Sequence, residues 1–569
     1  MANFNIDSEK NRTYDAIVIG SGMSGGWAAK ELTEKGLKTL VLERGRNVEH
    51  IKDYPTTTMM PWEFEHNGKV EQKVIDENPI VSKCYAFRED TQHFFTRDDV
   101  SPYVQEKPFD WIRAYQVGGK SLLWARQTQR WSDFDFEGPD RDGFATDWPI
   151  RYQDIAPWYS HVEKFVGIAG DKDGLDNLPD GEFLPALELN CVEKYFKEKL
   201  ESQFKGRNVI SGRCAHLTQP QEIHLQQGRG QCQNRVLCQR GCPFGGYFSA
   251  NSSTIPWAAK TGNLSLRPDS VVHSIIYDED KGRATGVRVI DAKTKETIEF
   301  YAPVIFVNAG ALNTNQLLLN SKSNRFPEGL GNDNGLLGKY IAFHIYRARI
   351  SAEYDGFLDK TTVGRRPTSG YIPRFRNVYR QETDFLRGYA AGFSASRRIE
   401  RSYDGIGEEL RQNLLNPEWG VWRVGSHMMG ETIPKETNYI NLTSDSDEFG
   451  IPLLNIKVDY DDNDEKMILD FQEQFTEMYE KAGFTNIRTT DSHQAPGLDI
   501  HEMGGVRMGK DPKISLLDEH HRLHACKNVF VTDGACMTST STQNPSLTYM
   551  AFAARAANFA VEEGKKGNV

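Results

Sequence analysis

Four apolar residues, Ala16-Ile17-Val18-Ile19, run into Gly20-Ser21-Gly22-Met23-Ser24-Gly25, a helix-like segment follows, and Thr39-Leu40-Val41-Leu42 ends in Glu43. This order predicts a βαβ unit, which obliges the rest of the chain to supply further parallel strands and covering helices. Gly20 permits a tight turn, Gly22 lets backbone approach a phosphate, and Gly25 lets the helix close on the strand. The free amides of the helix start then face anionic oxygens. An acid about 20 residues on, here Glu43, can hold ribose hydroxyls. The stretch therefore predicts dinucleotide binding, with Met23, Ser24 and Arg44 among the contacts. The bland alternative is a glycine-rich turn.

At 569 residues the chain is expected to hold two or more domains. A net charge of -11 argues against a nucleic-acid binder. No apolar run approaches the ~18 residues of a membrane span, and the polar stretch before Tyr14 has no signal-peptide core, so the chain is read as carrying no export signal or anchor of its own.

A second glycine turn, Val117-Gly118-Gly119-Lys120-Ser121 before Trp124, has the form that sets backbone against a cofactor, or equally a plain structural turn. Short strands are expected at 264–267 and 287–290, with Val271 near the dinucleotide, and at 304–307 before a helix through Leu319. From Tyr346 to Asp499 the alternation of 451–458 after the turn Asp447-Glu448-Phe449-Gly450 suggests an antiparallel sheet and a substrate domain. A helix there is expected to be capped by Asn463 and ended by Gly483, with Ile468, Phe471, Phe475 and Met478 on its core face. Residues 528–531 read as a buried strand ending at Asp533-Gly534, and 545–563 as a C-terminal helix.

Three features occur together: the N-terminal fingerprint, His501-Glu502-Met503-Gly504-Gly505-Val506-Arg507-Met508-Gly509, and Asp533-Gly534 followed by Asn544-Pro545-Ser546-Leu547-Thr548. Asn308-Ala309-Gly310-Ala311-Leu312 and Leu337-Gly338-Lys339-Tyr340-Ile341-Ala342-Phe343-His344 keep the same order and spacing. Over its whole length the chain resembles the glucose-methanol-choline flavin oxidoreductases. The resemblance implies FAD as the dinucleotide, with Gly118, Gly119, Ser121, Ala309, Gly310, Asp533, Gly534 and Pro545 joining the contacts. It also implies that His501 and Asn544 face the flavin ring. Oxidising an alcohol moves a hydride to flavin N5 while the hydroxyl proton leaves, so a histidine suits the base. An amide such as Asn544 can orient the hydroxyl without competing for its proton. The structural alternatives are a core histidine and an Asn-Pro helix cap. Leu123 stands where some members carry a flavin-linked histidine, which predicts non-covalent FAD.

Cys232, Cys238 and Cys242 crowd one eleven-residue window, whereas eight cysteines spread evenly would place well under one there. Three thiolates this close suggest soft-metal ligation, but C-x5-C-x3-C matches neither a zinc pair nor the bacterial ferredoxin run. The trio looks like that of flavin-dependent sugar dehydrogenases in the same family, where it holds a 3Fe-4S cluster. Buried or disulfide-paired cysteines are the alternative, and Cys214 is a candidate fourth ligand.

The expected fold is α/β with an α+β substrate part, a Rossmann-like FAD domain from residues 1–60, 110–135, 205–345 and 496–569. Residues 61–109, 136–204 and 346–495 form the discontinuous antiparallel-sheet substrate domain and lid. The expected activity is FAD-dependent dehydrogenation of a sugar or glycoside hydroxyl, similar to glucoside 3-dehydrogenases and, less closely, gluconate 2-dehydrogenases. Glu431, Asn438 and Gln543 are the candidate sugar contacts, a surface turn being the alternative for the first two. The resemblance further implies a small subunit with an export signal, a cytochrome or quinone acceptor, and a periplasmic location by co-export, with the cytoplasm as alternative. The competing readings are an oxygen-using pyranose oxidase and a non-catalytic flavin-binding assembly subunit.

Overall fold

The computed structural model describes residues 11–362, 368–400, 402–416 and 418–568. The start of the polar N-terminal stretch, residues 1–10, lies outside them. Strands Ala16–Ile19, Thr39–Leu42 and Val304–Val307 are buried at every position, as central parallel strands must be. The six-stranded sheet runs 522–523, 526–531, 304–307, 16–19, 39–42, 264–267, all parallel except the short first edge strand. Helix Met23–Glu34 covers one side and packs on the C-terminal helix Ser546–Lys565, whose alanines allow the close approach. The carboxyl ends of strands 16–19, 39–42 and 304–307 open together, which is where such sheets bind their ligands.

The antiparallel region resolves into two sheets rather than one. Strand Pro452–Lys457 sits in a five-stranded sheet with 439–446, 339–342, 503–505 and 104–105. A seven-stranded antiparallel sheet is built around Ala348–Tyr354, Tyr389–Ser396 and Trp422–Glu431, and strand 210–211 pairs at its edge with 370–372.

Helix Asp462–Lys481 lies on one face of this larger sheet and buries Ile468, Phe471, Phe475 and Met478, as the periodicity predicts. Its cap is Asp461, not Asn463. Asp461 Oδ1 accepts from the amides of Asn463 and Asp464 at 3.0 and 3.3 Å, and Asp464 returns a bond to Asp461 N at 2.9 Å. Asn463 turns outward instead, and its Oδ1 accepts from Leu386 N at 2.7 Å. Gly483 follows the helix at φ +76°, the left-handed turn expected of it.

Candidate active site

A cavity of 610 Å³ lies between the parallel sheet and the seven-stranded sheet. Its dinucleotide end is built from the glycine loop. A Cβ on Gly20 would strike the Asn308 carbonyl oxygen and one on Gly25 the Gly20 carbonyl oxygen, so neither position tolerates a side chain. Helix Met23–Glu34 has no side-chain cap and no acid in its first turn, leaving its amides for an anion.

Glu43 reaches the cavity and also braces the loop. Its Oε2 accepts from Ser21 Oγ at 2.5 Å and Ser21 N at 3.2 Å, and its Oε1 from Gly45 N at 3.0 Å. Burial raises its pKa against these bonds. Ser21 Oγ in turn accepts from Gly118 N at 3.0 Å, which ties the second glycine turn to the first. Ser121 Oγ closes that turn on Gly118 O at 2.6 Å.

Gly20, Gly22, Met23, Ser24, Glu43, Arg44, Gly119, Ser121, Val271, Ala309, Gly310, Asp533, Gly534, Asn544 and Pro545 line the cavity. Gly25 and Gly118 lie just behind the wall and shape it through backbone. Arg44 stacks on Tyr115 and Phe449 and pairs with Asp447 at 3.0 Å. Asp533 ties its turn together, accepting from Thr314 Oγ1 at 2.5 Å and Gly310 N at 2.8 Å. Buried polar atoms of the wall, Asn308 Nδ2, Glu502 Oε1, Tyr371 Oη and Tyr549 Oη, have no protein partner. Buried polar groups are normally satisfied, so these fit a polar ligand such as FAD. A Gly25→Ala variant is expected to fold, by far-ultraviolet circular dichroism, and to lose most of its bound flavin. Full flavin absorbance in that variant would refute the cradle.

At the other end His501 and Asn544 meet, Asn544 Nδ2 lying 3.3 Å from His501 Nε2. Pro545, not Asn544, occupies the cap position of the last helix, and no side chain caps it, so Asn544 is free for the cavity. The protons of His501 are assigned by the residue behind it. His344 Nε2 lies 3.1 and 3.0 Å from the carbonyl oxygens of Thr540 and Ser541, which only accept, so it carries hydrogen. A neutral His344 then accepts at Nδ1, and its 2.9 Å contact with His501 Nδ1 places a hydrogen on that nitrogen. His501 Nε2 is left with its lone pair, directed to Asn544 and the cavity. Burial pulls His344 down to about 4 and His501 well below its ordinary value, so both are neutral at pH 7. Asp499 comes close enough to form a possible cation trio with the two histidines. Both nitrogens of His344 are already engaged, and Asp499 accepts from the His344 backbone amide at 2.9 Å.

Three sequence candidates do not line the cavity. Glu431 is fully buried and paired with Arg387 at 2.9 Å and Arg374 at 3.6 Å. Asn438 closes a backbone link to Asp459, donating at 3.2 Å and accepting at 3.1 Å. Gln543 is held by Ser541 and by Asp135 at 3.5 Å. The substrate wall comes instead from the inner sheet face, Tyr346, Tyr371, His427 and Met429, with Gln127 and Thr368 linked at 3.0 Å. The signal was present in Trp422–Glu431, where alternate residues face the cavity side. Glu431 shares that face with His427 and Met429 but lies beyond the wall.

None of the eight cysteines is bridged. Cys232, Cys238 and Cys242 sit half-buried on an irregular loop, with Cys238 Sγ 3.8 Å from His216 Nε2, and Gln239 between them lines the cavity. The three sulfurs do not converge as ligands of one ion do. At ~2.3 Å from a tetrahedral ion they would be mutual neighbours, whereas a polynuclear cluster spreads them over separate metals.

A dinucleotide cradle facing a neutral buried histidine is the site architecture of this cavity. The chain belongs to the GMC oxidoreductases, its family models matching residues 150–345 and 434–553. It is an FAD-dependent oxidoreductase acting on alcohol or sugar substrates. It is 26% identical to 2-methyl-1,2-propanediol dehydrogenase of Mycolicibacterium austroafricanum, over 96% of this chain and 94% of the relative. It is 24% identical to paromamine 6'-oxidase of Streptomyces fradiae, over 96% and 91%. It is likewise 24% identical to the fructose dehydrogenase large subunit of Gluconobacter japonicus, over 98% and 100%. Among the described residues no helix is long and apolar enough to cross a membrane.

Proposed function

We propose that this chain is the catalytic subunit of a dehydrogenase that oxidises a secondary hydroxyl of a sugar or glycoside, at C3, giving a 3-keto sugar. The observation that carries the reading is the lone pair of His501 Nε2, held toward the cavity by His344. Bound FAD supplies a hydride acceptor. His501 takes the hydroxyl proton at Nε2 as the carbon loses hydride, and Asn544 orients the hydroxyl by exchanging its long contact to the histidine for one to the substrate. The polar side chains of Gln127, Tyr346, Thr368, Tyr371 and His427 suit a ligand bearing several hydroxyls. Leu123 offers no nucleophile to the flavin, so FAD is held without a covalent bond.

Cys232, Cys238 and Cys242 would hold a 3Fe-4S cluster, which passes electrons singly to an acceptor. The large-subunit relative supports a multi-subunit assembly. A small partner with an export signal and a cytochrome or quinone would complete it, placing the enzyme in the periplasm.

An anaerobic visible spectrum, before and after methyl glucoside, glucose and gluconate, tests the proposal. The expected result is flavin bleaching by a glycoside over a broad residual iron-sulfur absorbance. Bleaching by gluconate alone would move the substrate to a sugar acid, and rapid peroxide formation in air without the residual absorbance would favour an oxidase. A flavin that none of them bleaches would overturn the substrate class.

A further inference from the structure

Two arginines are buried around the cysteine loop without acids. Arg229 is 1% exposed; its Nε donates to Gly245 O at 3.0 Å and its Nη1 to Val166 O at 2.8 Å and Gln227 Oε1 at 3.2 Å, while Nη2 has no partner. Arg126 is 4% exposed, donates to Trp124 O, lies 5.1 Å over the Tyr247 ring and leaves Nε unpartnered. Among the described residues neither guanidinium has a carboxylate within 4.0 Å. The other arginines buried as deeply, Arg113, Arg213, Arg374 and Arg387, each have one, at 3.6, 2.8, 3.6 and 2.7 Å.

A buried cation with no anion is costly, and proteins pair such groups. Arg229 is tied to the cysteine loop through backbone, since the Gly245 carbonyl that accepts from its Nε belongs to a residue whose amide donates to Cys242 O at 3.0 Å. Arg126 lies against the same region: its carbonyl accepts from Ala215 N at 2.9 Å, and the Tyr247 under its guanidinium pairs with His216, the neighbour of Cys238. His216 lies beside Cys238, fully buried, with its Nδ1 free of partners. Two buried positive charges without acid partners thus lie in the backbone framework that carries the three ligand-type sulfurs.

We propose that Arg126 and Arg229 are the counter-ions of the anionic group carried by Cys232, Cys238 and Cys242, and that they set its one-electron potential. This rests on the iron-sulfur reading above. Three ferric ions, four sulfides and three thiolates sum to two negative charges, and uptake of one electron makes three. Fixed cations stabilise the more negative form, so they raise the potential and make the group a ready acceptor of electrons from the flavin.

The test is a redox titration followed by electron paramagnetic resonance on the anaerobically purified full chain, with iron and sulfide analysis, for wild type, Arg229→Gln and Arg126→Gln. Each variant is expected to keep its iron and to shift the equilibrium about tenfold toward the oxidised form, ~59 mV for one electron. Mere loosening of the loop would admit water, favour the more charged reduced form and shift the equilibrium the opposite way, so an unchanged or raised potential in both variants overturns the proposal. Where a glutamine variant loses its iron, lysine at the same position decides. Iron kept with lysine supports the counter-ion role, and iron lost with both overturns it. Wild type without iron or sulfide would overturn the cluster itself, a distinct outcome.

Discussion

His501→Ala is expected to lower kcat by ~10²- to 10⁴-fold while leaving FAD bound, because a positioned base typically contributes that much and His501 takes no part in the glycine cradle. Stopped-flow flavin reduction under anaerobic conditions measures the step directly. Retained reduction at the wild-type rate would remove His501 as the base. The pH profile adds a second reading. Since burial holds His501 well below its ordinary value, the neutral base persists as pH falls through ~6.5, and the acid limb of kcat/KM assigned to it lies lower. His344→Phe removes the acceptor at His501 Nδ1, frees the other tautomer and is expected to lower kcat with little change in flavin content.

Glu431→Ala is expected to destabilise the protein by ~3–5 kcal/mol and to leave KM near wild type in whatever fraction folds. Glu431 has no exposed surface, and its Oε2 receives Arg387 Nε at 2.9 Å while Arg387 Nη1 reaches Asp142 at 2.7 Å. Removing the carboxylate leaves buried Arg387 with Asp142 alone and buried Arg374 with only Asp135, at 4.0 Å. The thermal midpoint of the flavin-loaded protein and a substrate titration separate the two effects. A stable variant with a raised KM would return Glu431 to the substrate site.

Much of the dinucleotide half was legible because its constraints are local. A glycine that must be a glycine, an acid at a fixed distance and an all-apolar strand mark themselves in the sequence. His501 and Asn544 carried no such local signature; they were found through the family pattern, and the geometry supplies the physical reason for pairing them. The substrate face was not legible for a different reason. Tyr346, in the link between strands His344–Ile345 and Ala348–Tyr354, and Tyr371 and His427, on strands 370–372 and 422–431, lie far apart in sequence, and only the pairing of these strands in one sheet makes a wall of them. Glu431 shows the limit of reading a strand alone: the alternation gives the correct face, but which residues on it reach the ligand depends on Arg387, more than forty positions away. Asp461 and Asn463 are equally good capping types, and what gives Asp461 the cap is the bond of Asn463 Oδ1 to Leu386 N, which takes Asn463 away from the helix end.

The strand Trp422–Glu431 divides its labour by parity, with Trp422, Val424, Ser426 and Met428 buried beneath the helix Asp462–Lys481 and the intervening positions turned to the other side. For anyone redesigning the enzyme, the pocket-facing and core-facing codons of this strand therefore alternate as far as Met429, with Glu431 the structural residue on the pocket side. Positions 427 and 429 can be varied without touching the hydrophobic layer behind them, while Gly392 opposite stays glycine because a Cβ there would strike the His427 ring.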